Sequence, residues 1–341
     1  MKVLSLVVPA YNSENFLDKG IPSMLHPEIL DKLEIIIVND GSTDGTVTVA
    51  ESYAARYPDT VRVISQENKG HGGALNTGFA AATGKYLKPI DADDWVQTQN
   101  LPEFIRNLEN CHSDVVLTPY RTVDISDGSI ISYGCAPDQF GVPMTMGDLM
   151  ANWRNFYRCT VFHGVAYRRD FYQEKGISLS EHVFYEDNEY ATFPFCQAET
   201  VTALDLEIYE YRIGDVAQSM SIANQIKRLD HLKKVGQRML QECALLPNSP
   251  GKDYAAMKTQ AVLSLYLNLA LLAHPDRKTG RALAADLLAT CDSQDPAIRS
   301  ILEKKYRILL CLNHLHIRKE TWDNLLNSNL YTALRRKISF K

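Results

Sequence analysis

The chain has 341 residues, of which 45% are hydrophobic and 23% charged, a composition that excludes disorder throughout. At about 150 residues per domain, this length predicts two domains. The seven cysteines include no Cys-x-x-Cys pair, which argues against a zinc ribbon or a disulfide scaffold and favours a reducing cytoplasm. No signal peptide precedes the first apolar run, and the longest apolar run, residues 261–273, is too short to span a bilayer.

Charge is unevenly distributed along the chain. The overall net charge is −5, but residues 1–215 carry −15 and residues 216–341 carry +10. Such asymmetry indicates two regions with different partners, unless the second region only presents solvated, lysine-rich helix surfaces.

The first 215 residues alternate strand-like and helix-like segments. Apolar runs at 3–8, 33–38, 61–65 and 86–90 predict buried strands, and a helical pattern follows each of the first three. Residues 113–123, 128–134 and 159–169 predict later strands, with a hairpin at 126–128. After residue 222 the pattern is helical. We therefore expect a mostly parallel sheet flanked by helices, followed by a helical C-terminal region.

Polar residues follow four of the predicted strands. They are Tyr11-Asn12, Asn39-Asp40, Gln66-Glu67-Asn68 and Asp91-Ala92-Asp93. Because parallel strands end at one edge of a sheet, and ligands bind beyond those carboxyl ends, this edge is the predicted site.

The sharpest local feature is the sequence Asp91-Ala92-Asp93-Asp94, which we name the acidic loop. Paired carboxylates suit Mg²⁺ or Mn²⁺, and Mg²⁺ completes its coordination with water and substrate phosphates. The pattern thus indicates a nucleotide diphosphate as partner. A solvated acidic cluster or a loop cap is the alternative for such a sequence.

Two further loops carry polar or glycine-rich sequence. Asp40, in Asn39-Asp40-Gly41-Ser42, can accept hydrogen bonds from a base or a ribose, or simply form an Asx turn. The glycine-rich loop Lys69-Gly70-His71-Gly72-Gly73 opens a helix, where backbone N–H groups favour phosphate. It matches no Walker A motif, and a flexible connection is an equal alternative, with His71 in a structural role.

An acidic pair, Glu186-Asp187, lies among aromatic residues. Partial desolvation there would raise a carboxyl pKa and make a general base, although acidic residues also favour helix N-termini for electrostatic reasons alone. Further along, Arg212 and Ser219 could offer a cation and a hydroxyl to a diphosphate or an acceptor, or form structural contacts.

Taken in order, four motifs and a later acidic one closely resemble family 2 glycosyltransferases over roughly residues 1–215. The motifs are VVPAYN at 7–12, IVNDGSTD at 37–44, NTG at 76–78 with ATG at 82–84, DADDW at 91–95, and the acidic YED at 185–187.

The resemblance implies a glycosyltransferase-A fold and inverting transfer from a nucleotide sugar, usually a UDP-sugar. We therefore expect a catalytic domain in residues 1–220, and the helical pattern predicts a helical region in 221–341. The resemblance also implies that Asp91 and Asp93 bind Mn²⁺ or Mg²⁺ and that Asp187, or else Glu186, is the base. The predicted nucleotide-binding residues are Pro9, Ala10, Tyr11, Asn12, Asp40, Asn68, Lys69, Asn76, Asp91 and Ala92.

One departure concerns charge near the nucleotide. Similar family members carry Ala-Arg-Asn where this chain has Ala74-Leu75-Asn76, so the expected cation is missing unless Lys69 or Lys88 replaces it. Pro89 removes a ladder donor from the fourth strand, which predicts an irregular strand there. The alternatives to a glycosyltransferase are a sugar-phosphate nucleotidyltransferase and a non-catalytic nucleotide-sugar-binding module.

The C-terminal tail, residues 303–341, holds nine Lys/Arg against three Asp/Glu, with apolar residues near helical spacing. A basic amphipathic helix predicts either contact with an anionic membrane surface or docking on the catalytic domain or a second copy of the chain. The expected acceptor is a glycan, a lipid-linked glycan or a cell-surface polymer, and no nucleic-acid partner is expected. The expected location is cytoplasmic, or peripheral at the inner face of the membrane.

Overall fold

The computed structural model describes residues 1–215 and 222–327. The chain divides into two compact units, one comprising Met1–Gln218 with Pro247–Ala255 and the other Ser219–Leu246 with Ala256–Lys341. The first is a mixed α/β unit and the second is helical, so the predicted fold class is confirmed.

The described part of the first unit contains twelve strands. They are β1 (Leu4–Ala10), β2 (Leu33–Asp40), β3 (Val61–Gln66), β4 (Tyr86–Pro89), β5 (Trp95–Val96), β6 (Val115–Leu117), β7 (Tyr120–Asp124), β8 (Ile130–Tyr133), β9 (Pro143–Thr145), β10 (Val165–Arg168), β11 (Thr200–Ala203) and β12 (Tyr209–Ile213).

Eight of these strands form the main sheet, in the order β3-β2-β1-β4-β10-β6-β11-β9. The first four strands of this order are parallel to one another, and β10 is antiparallel to both β4 and β6. Every residue of β1 and β2 is buried, as expected for central strands covered on both faces. The parallel half therefore brings the carboxyl ends of β1, β2, β3 and β4 to one edge.

A smaller sheet has the order β5-β12-β7-β8. The predicted hairpin is formed by β7 and β8. The predicted strand 113–123 is in fact two strands, β6 and β7, which lie in different sheets. Pro119 separates them, and proline cannot continue a ladder because it has no amide hydrogen.

Seven α-helices accompany the sheets within residues 1–215: α1 (Glu14–Met24), α2 (Thr46–Arg56), α3 (Gly70–Ala81), α4 (Leu101–Asn110), α5 (Met146–Ala151), α6 (Arg169–Glu174) and α7 (Asp187–Tyr190). Residues 70–73, expected to be a glycine-rich loop, form the first turn of α3 instead. Gly78 lets α3 lie directly on the sheet, since a Cβ there would be 2.2 Å from Val7 Cγ1.

The second unit consists of helices in its described part. Its segments are α8 (Ile222–Lys227), α9 (Leu229–Leu245), α10 (Pro250–Asn268, which begins in the first unit), a π-helical turn (Leu269–Ala273), α11 (Arg277–Gln294), α12 (Pro296–His314) and α13 (Lys319–Asn327). The inward face predicted for α9 is buried from Leu229 to Cys243.

One continuous helical segment, Pro250–Ala273, is by length and composition sufficient to cross a membrane, and 61% of its most apolar stretch is buried inside the protein. A buried core helix meets the same criterion, so this feature is weak evidence for a membrane span. The last 14 residues of the basic tail, 328–341, lie outside the described residues.

Candidate active site

The ends of β1 and β2 are joined by side-chain hydrogen bonds. Asn12 adopts a left-handed backbone conformation with φ 49°, which asparagine tolerates better than most residues. Its Oδ1 accepts from the Thr43 backbone N–H at 2.9 Å, and its own N–H donates to Ser42 Oγ at 3.0 Å. Pro9 and Ala10 are buried while Tyr11 is 53% exposed, so this turn presents one aromatic ring to solvent beside β2.

Asp40 is buried at the end of β2 and accepts hydrogen bonds from three neighbouring residues. Its Oδ1 accepts from the Lys69 backbone N–H at 2.8 Å and from Gln66 Nε2 at 2.7 Å. Its backbone oxygen accepts from Asn68 Nδ2 at 2.9 Å. Asp40 thus orders the connection from β3 to α3, while the side chains of Asn68 and Lys69 stay exposed.

The glycines of the first α3 turn allow close packing against residues 178–186. A Cβ on Gly70 would lie 2.8 Å from the His182 backbone nitrogen, and one on Gly72 would lie 2.3 Å from the Ser180 carbonyl oxygen. Asn76 completes the contact, because its Oδ1 accepts from the Leu179 N–H at 2.8 Å and its Nδ2 donates to the Leu179 oxygen at 2.9 Å. These residues bring the acidic pair to the edge of the sheet.

The acidic loop follows β4 and is organised by Tyr209 of β12. The Tyr209 hydroxyl accepts from the Asp91 N–H at 3.0 Å and donates to Asp94 Oδ2 at 2.6 Å. Asp94 Oδ1 accepts from the Arg212 N–H at 2.7 Å. Asp94 is therefore buried and oriented, whereas the side chain of Asp93 is 43% exposed.

Arg212 lies beside this loop. One guanidinium nitrogen is 3.9 Å from Asp93 Oδ2, another donates to Asp215 Oδ2 at 2.9 Å, and the guanidinium lies over the Phe16 ring. The structure therefore places this predicted cation next to the acidic loop. Ser219, predicted to act with it, lies outside the described residues.

Lys88 does not supply the missing cation, because it is fully buried. Its Nζ donates to the carbonyl oxygens of His163 at 2.7 Å and Val165 at 3.3 Å. The ammonium thereby ties the end of β4 to the start of β10 where Pro89 has no N–H to offer. Burial lowers the pKa of Lys88 to about 7.

His71 lies between the acidic loop and the acidic pair. Its Nδ1 is 2.5 Å from Glu186 Oε1, and its Nε2 is 2.8 Å from Asp91 Oδ1. Burial alone would lower the pKa of His71, but the charge of Asp91 and the hydrogen bonds to both carboxylates outweigh it. The pKa of His71 is therefore well above its usual value, and both ring nitrogens face carboxylate oxygens.

The carboxyl groups at this edge have divergent pKa values. Burial raises the pKa of Asp94 well above its ordinary value, and the charges of Asp91 and Asp93 add to the effect. Burial also raises the pKa of Asp91, but the charge of His71 more than offsets it, so that the net shift is downward. Burial, helped by the charge of Glu186, raises the pKa of Asp187 to about 6. Such separation is typical of sites with distinct acid and base roles.

The two members of the acidic pair have different surroundings. Glu186 is 4% exposed and bonded to His71, whereas Asp187 is half-buried at the start of α7 and accepts from Asn188 Nδ2 at 3.0 Å. Tyr185, just before them, has φ 77°, a strained conformation for an aromatic residue.

The donor set at the edge fits a divalent cation. Asp91, Asp94 and His163 offer ligand atoms that all lie within 4.8 Å of one another, and the more exposed Asp93 is their close neighbour in the chain. Carboxylate oxygens with an imidazole suit Mn²⁺ as well as Mg²⁺. Both Asp94 oxygens already accept hydrogen bonds, which would fix their direction toward an ion.

Sequence reasoning missed Tyr209 and His163. Tyr209 lies on the same face of β12 as Tyr211. The alternation of aromatic residues in a strand does not indicate which residues their hydroxyl groups contact. The His163 ring stacks on Tyr211 with centroids 4.4 Å apart, in a segment predicted as a plain strand. The available signal was an aromatic residue with a polar atom at each position, His163 beside Phe162 and Tyr209 beside Glu210.

Comparison with known proteins identifies related sequences. The family model for glycosyl transferase family 2 matches residues 5–175, half of the chain. The chain is 29% identical over 211 residues to the uncharacterized glycosyltransferase EpsJ of Bacillus subtilis, covering 62% of this chain and 61% of EpsJ. It is 36% identical over 136 residues to chondroitin synthase of Escherichia coli, covering 39% of this chain and 19% of that protein. The chain thus spans less than two thirds of these relatives.

Solved structures of low sequence identity share the fold. TarS residues 1–349 of S. aureus, in complex with UDP-GlcNAc, superpose with a TM-score of 0.62 at 18% identity over 93% of each chain. The mannosyltransferase PcManGT of Pyrobaculum calidifontis, in complex with GDP-Man and Mn²⁺, gives a TM-score of 0.50 at 20% identity over 96% of this chain and 88% of that one. Because the family model matches half of the chain, the chain belongs to glycosyl transferase family 2.

Proposed function

We propose that the protein is an inverting glycosyltransferase that moves a sugar from a nucleotide-diphosphate sugar to an acceptor hydroxyl. The observation that carries this proposal is the meeting of two acidic segments far apart in the chain. Asp91 and Glu186 both contact His71, so the acidic loop and the segment that holds Asp187 face one another. A leaving diphosphate and an attacking hydroxyl need such a pair of sites.

The proposed nucleotide-binding site lies at the carboxyl edge of the main sheet. It is formed by residues 9–12 and Asp40, with Asn68, Lys69 and Ala92 around them. The exposed Tyr11 ring offers a stacking surface for a base. Asn76 takes part by holding residues 178–179, because its amide is already bonded there. We favour a UDP-sugar, since the better matching neighbour binds UDP-GlcNAc, although PcManGT binds GDP-Man.

We assign the divalent cation to Asp91 and Asp93, with Asp94 and His163 as neighbouring donors. When bound, Mn²⁺ or Mg²⁺ supplies Lewis-acid stabilisation of negative charge on the leaving diphosphate. Arg212, close to Asp93, is placed to add positive charge on the same side. The high pKa of Asp94 and its hydrogen bonds suit it to holding the loop in shape.

Asp187 is the proposed general base. It takes the proton of the acceptor hydroxyl as the new C–O bond forms at the anomeric carbon and the bond to the diphosphate breaks on the opposite face. One such base gives inversion, unlike the two-step retaining scheme. A carboxyl with a pKa of about 6 is ionised at neutral pH yet basic enough to accept a proton. Glu186, buried against His71, is the less suitable of the pair.

The domain and acceptor assignments are also proposals. We propose residues 1–220 as the catalytic domain and 221–341 as a helical C-terminal region. The proposed acceptor is a glycan, a lipid-linked glycan or a cell-surface polymer, and we propose that the basic tail rests on an anionic membrane at the cytoplasmic face. The excess of Lys/Arg in residues 303–341 supports this. Full-length protein should partition onto anionic vesicles at low salt better than residues 1–320, and equal partitioning would overturn it.

The test of function is a thermal-shift screen of nucleotides with and without Mn²⁺, followed by turnover assays with sugar nucleotides. Stabilisation by one nucleoside diphosphate that requires the metal is expected. Asp187→Asn should abolish transfer and leave nucleotide binding intact; unchanged turnover would remove Asp187 from the mechanism. Release of pyrophosphate would indicate a nucleotidyltransferase, and binding without transfer or hydrolysis a non-catalytic module.

A further inference from the structure

His71 joins two parts of the protein that the main-chain ladders do not connect directly. Asp91 is 20 residues away in the chain and Glu186 is 115 residues away, yet each gives one carboxylate oxygen to the same imidazole ring. Without the ring, the two carboxyl groups would have no shared partner, and the two segments would lose the contact that joins them.

The backbone around His71 is held firmly in place. A side chain at either flanking glycine would collide with residues 180–182, so the first turn of α3 is pressed against that segment. The ring also contacts Phe162, with centroids 5.8 Å apart. Because its backbone is fixed and its ring is packed, His71 can hold Asp91 and Glu186 at a defined separation.

Glu186 depends on His71 for the hydrogen bonding of its carboxylate. Glu186 is 4% exposed, and its second oxygen, Oε2, is buried and has no hydrogen-bond partner within residues 1–215 and 222–327. The bond from Oε1 to His71 is therefore the hydrogen bond that holds this carboxylate. Asp187 follows directly as the first residue of α7, so a shift of Glu186 moves Asp187 as well.

We infer that His71 is a positioning residue that sets the distance between the acidic loop and Asp187 by bridging Asp91 and Glu186. The inference rests on the proposed function, since it supposes that Asp187 deprotonates the hydroxyl that attacks the sugar of a donor bound at the acidic loop. A base displaced by about 1 Å can cost on the order of a hundredfold in rate. Loss of the bridge should accordingly reduce the chemical step and leave nucleotide binding unchanged.

The test compares His71→Ala and His71→Gln with His112→Gln, which removes an exposed histidine of the same unit. With the sugar nucleotide that wild-type protein turns over, and at saturating Mn²⁺, both His71 variants should lose about a hundredfold in kcat, with donor KM and UDP affinity within about threefold. Added imidazole should restore part of the kcat of His71→Ala. A change in donor KM or UDP affinity with kcat intact would overturn the inference, as would an unchanged kcat.

A double-mutant cycle in thermal unfolding tests the bridge without any substrate. If His71 and Glu186 act as a unit, His71→Gln combined with Glu186→Gln should be about as stable as the less stable single variant. Additive losses would overturn the bridge. Wild-type protein that turns over no sugar nucleotide would instead overturn the proposed function, and the cycle would still report on the contact.

Discussion

The pKa of Asp187 leads to a quantitative prediction about the reaction rate. With a pKa of about 6, against an ordinary value of 3.8, Asp187 is about 90% ionised at pH 7 and about 10% ionised at pH 5. If the ionised carboxylate is the base, kcat/KM should fall about tenfold between these pH values. A carboxyl with the ordinary pKa would still be about 90% ionised at pH 5 and would give almost no fall.

The assay is kcat/KM for sugar transfer from pH 4.5 to 8, with Asp138→Asn, an exposed carboxyl, as the control. We call the fall of kcat/KM toward low pH the acid limb. Two variants should move the pH of this limb in opposite directions. Glu186→Gln removes a negative charge that raises the pKa of Asp187, so the limb should move to lower pH. His71→Gln removes a positive charge that lowers it, so the limb should move to higher pH at a reduced maximum rate.

Opposite displacement of the limb by these two variants would tie it to Asp187, because a group elsewhere would not respond to both charges. A wild-type profile that stays flat down to pH 4.5 would refute the reasoning. So would a limb near pH 6 that neither variant moves.

Three further predictions concern stability. Wild-type stability should rise with pH between about 7 and 10.5, because the folded pKa of Lys88, about 7, lies below the unfolded value of 10.5. Lys88→Met should lose this rise, as measured by urea unfolding at pH 6 and 9. Gly78→Ala would force a methyl to 2.2 Å from Val7 and should cost about 1–3 kcal/mol in thermal melts, while Gly134→Ala, which meets open space, should not. Tyr209→Phe removes both hydrogen bonds from Tyr209 to the acidic loop. It should lower the free energy of unfolding in denaturant by about 1–3 kcal/mol and weaken Mn²⁺ binding. If neither value changes, the acidic loop does not depend on Tyr209.

Much of the architecture could be predicted from the sequence because it depends on local pattern. Uninterrupted apolar runs predict strands covered on both faces, and polar residues after each run predict a site at the carboxyl edge. The acidic loop and the pair Glu186-Asp187 were found in this way, since carboxylates at strand ends and helix starts are visible in sequence.

Only the tertiary structure decided the partners of those residues. Nothing local indicates that His71 bridges Asp91 and Glu186, or that Tyr209 holds the acidic loop, because these contacts join segments 20 to 118 residues apart. The same holds for Lys88, whose place beneath the site follows from the packing of β4 against β10. Sequence determines which chemical groups are available and where strands end, whereas the energies that tune them depend on burial and neighbouring charges that exist only once distant segments have packed together.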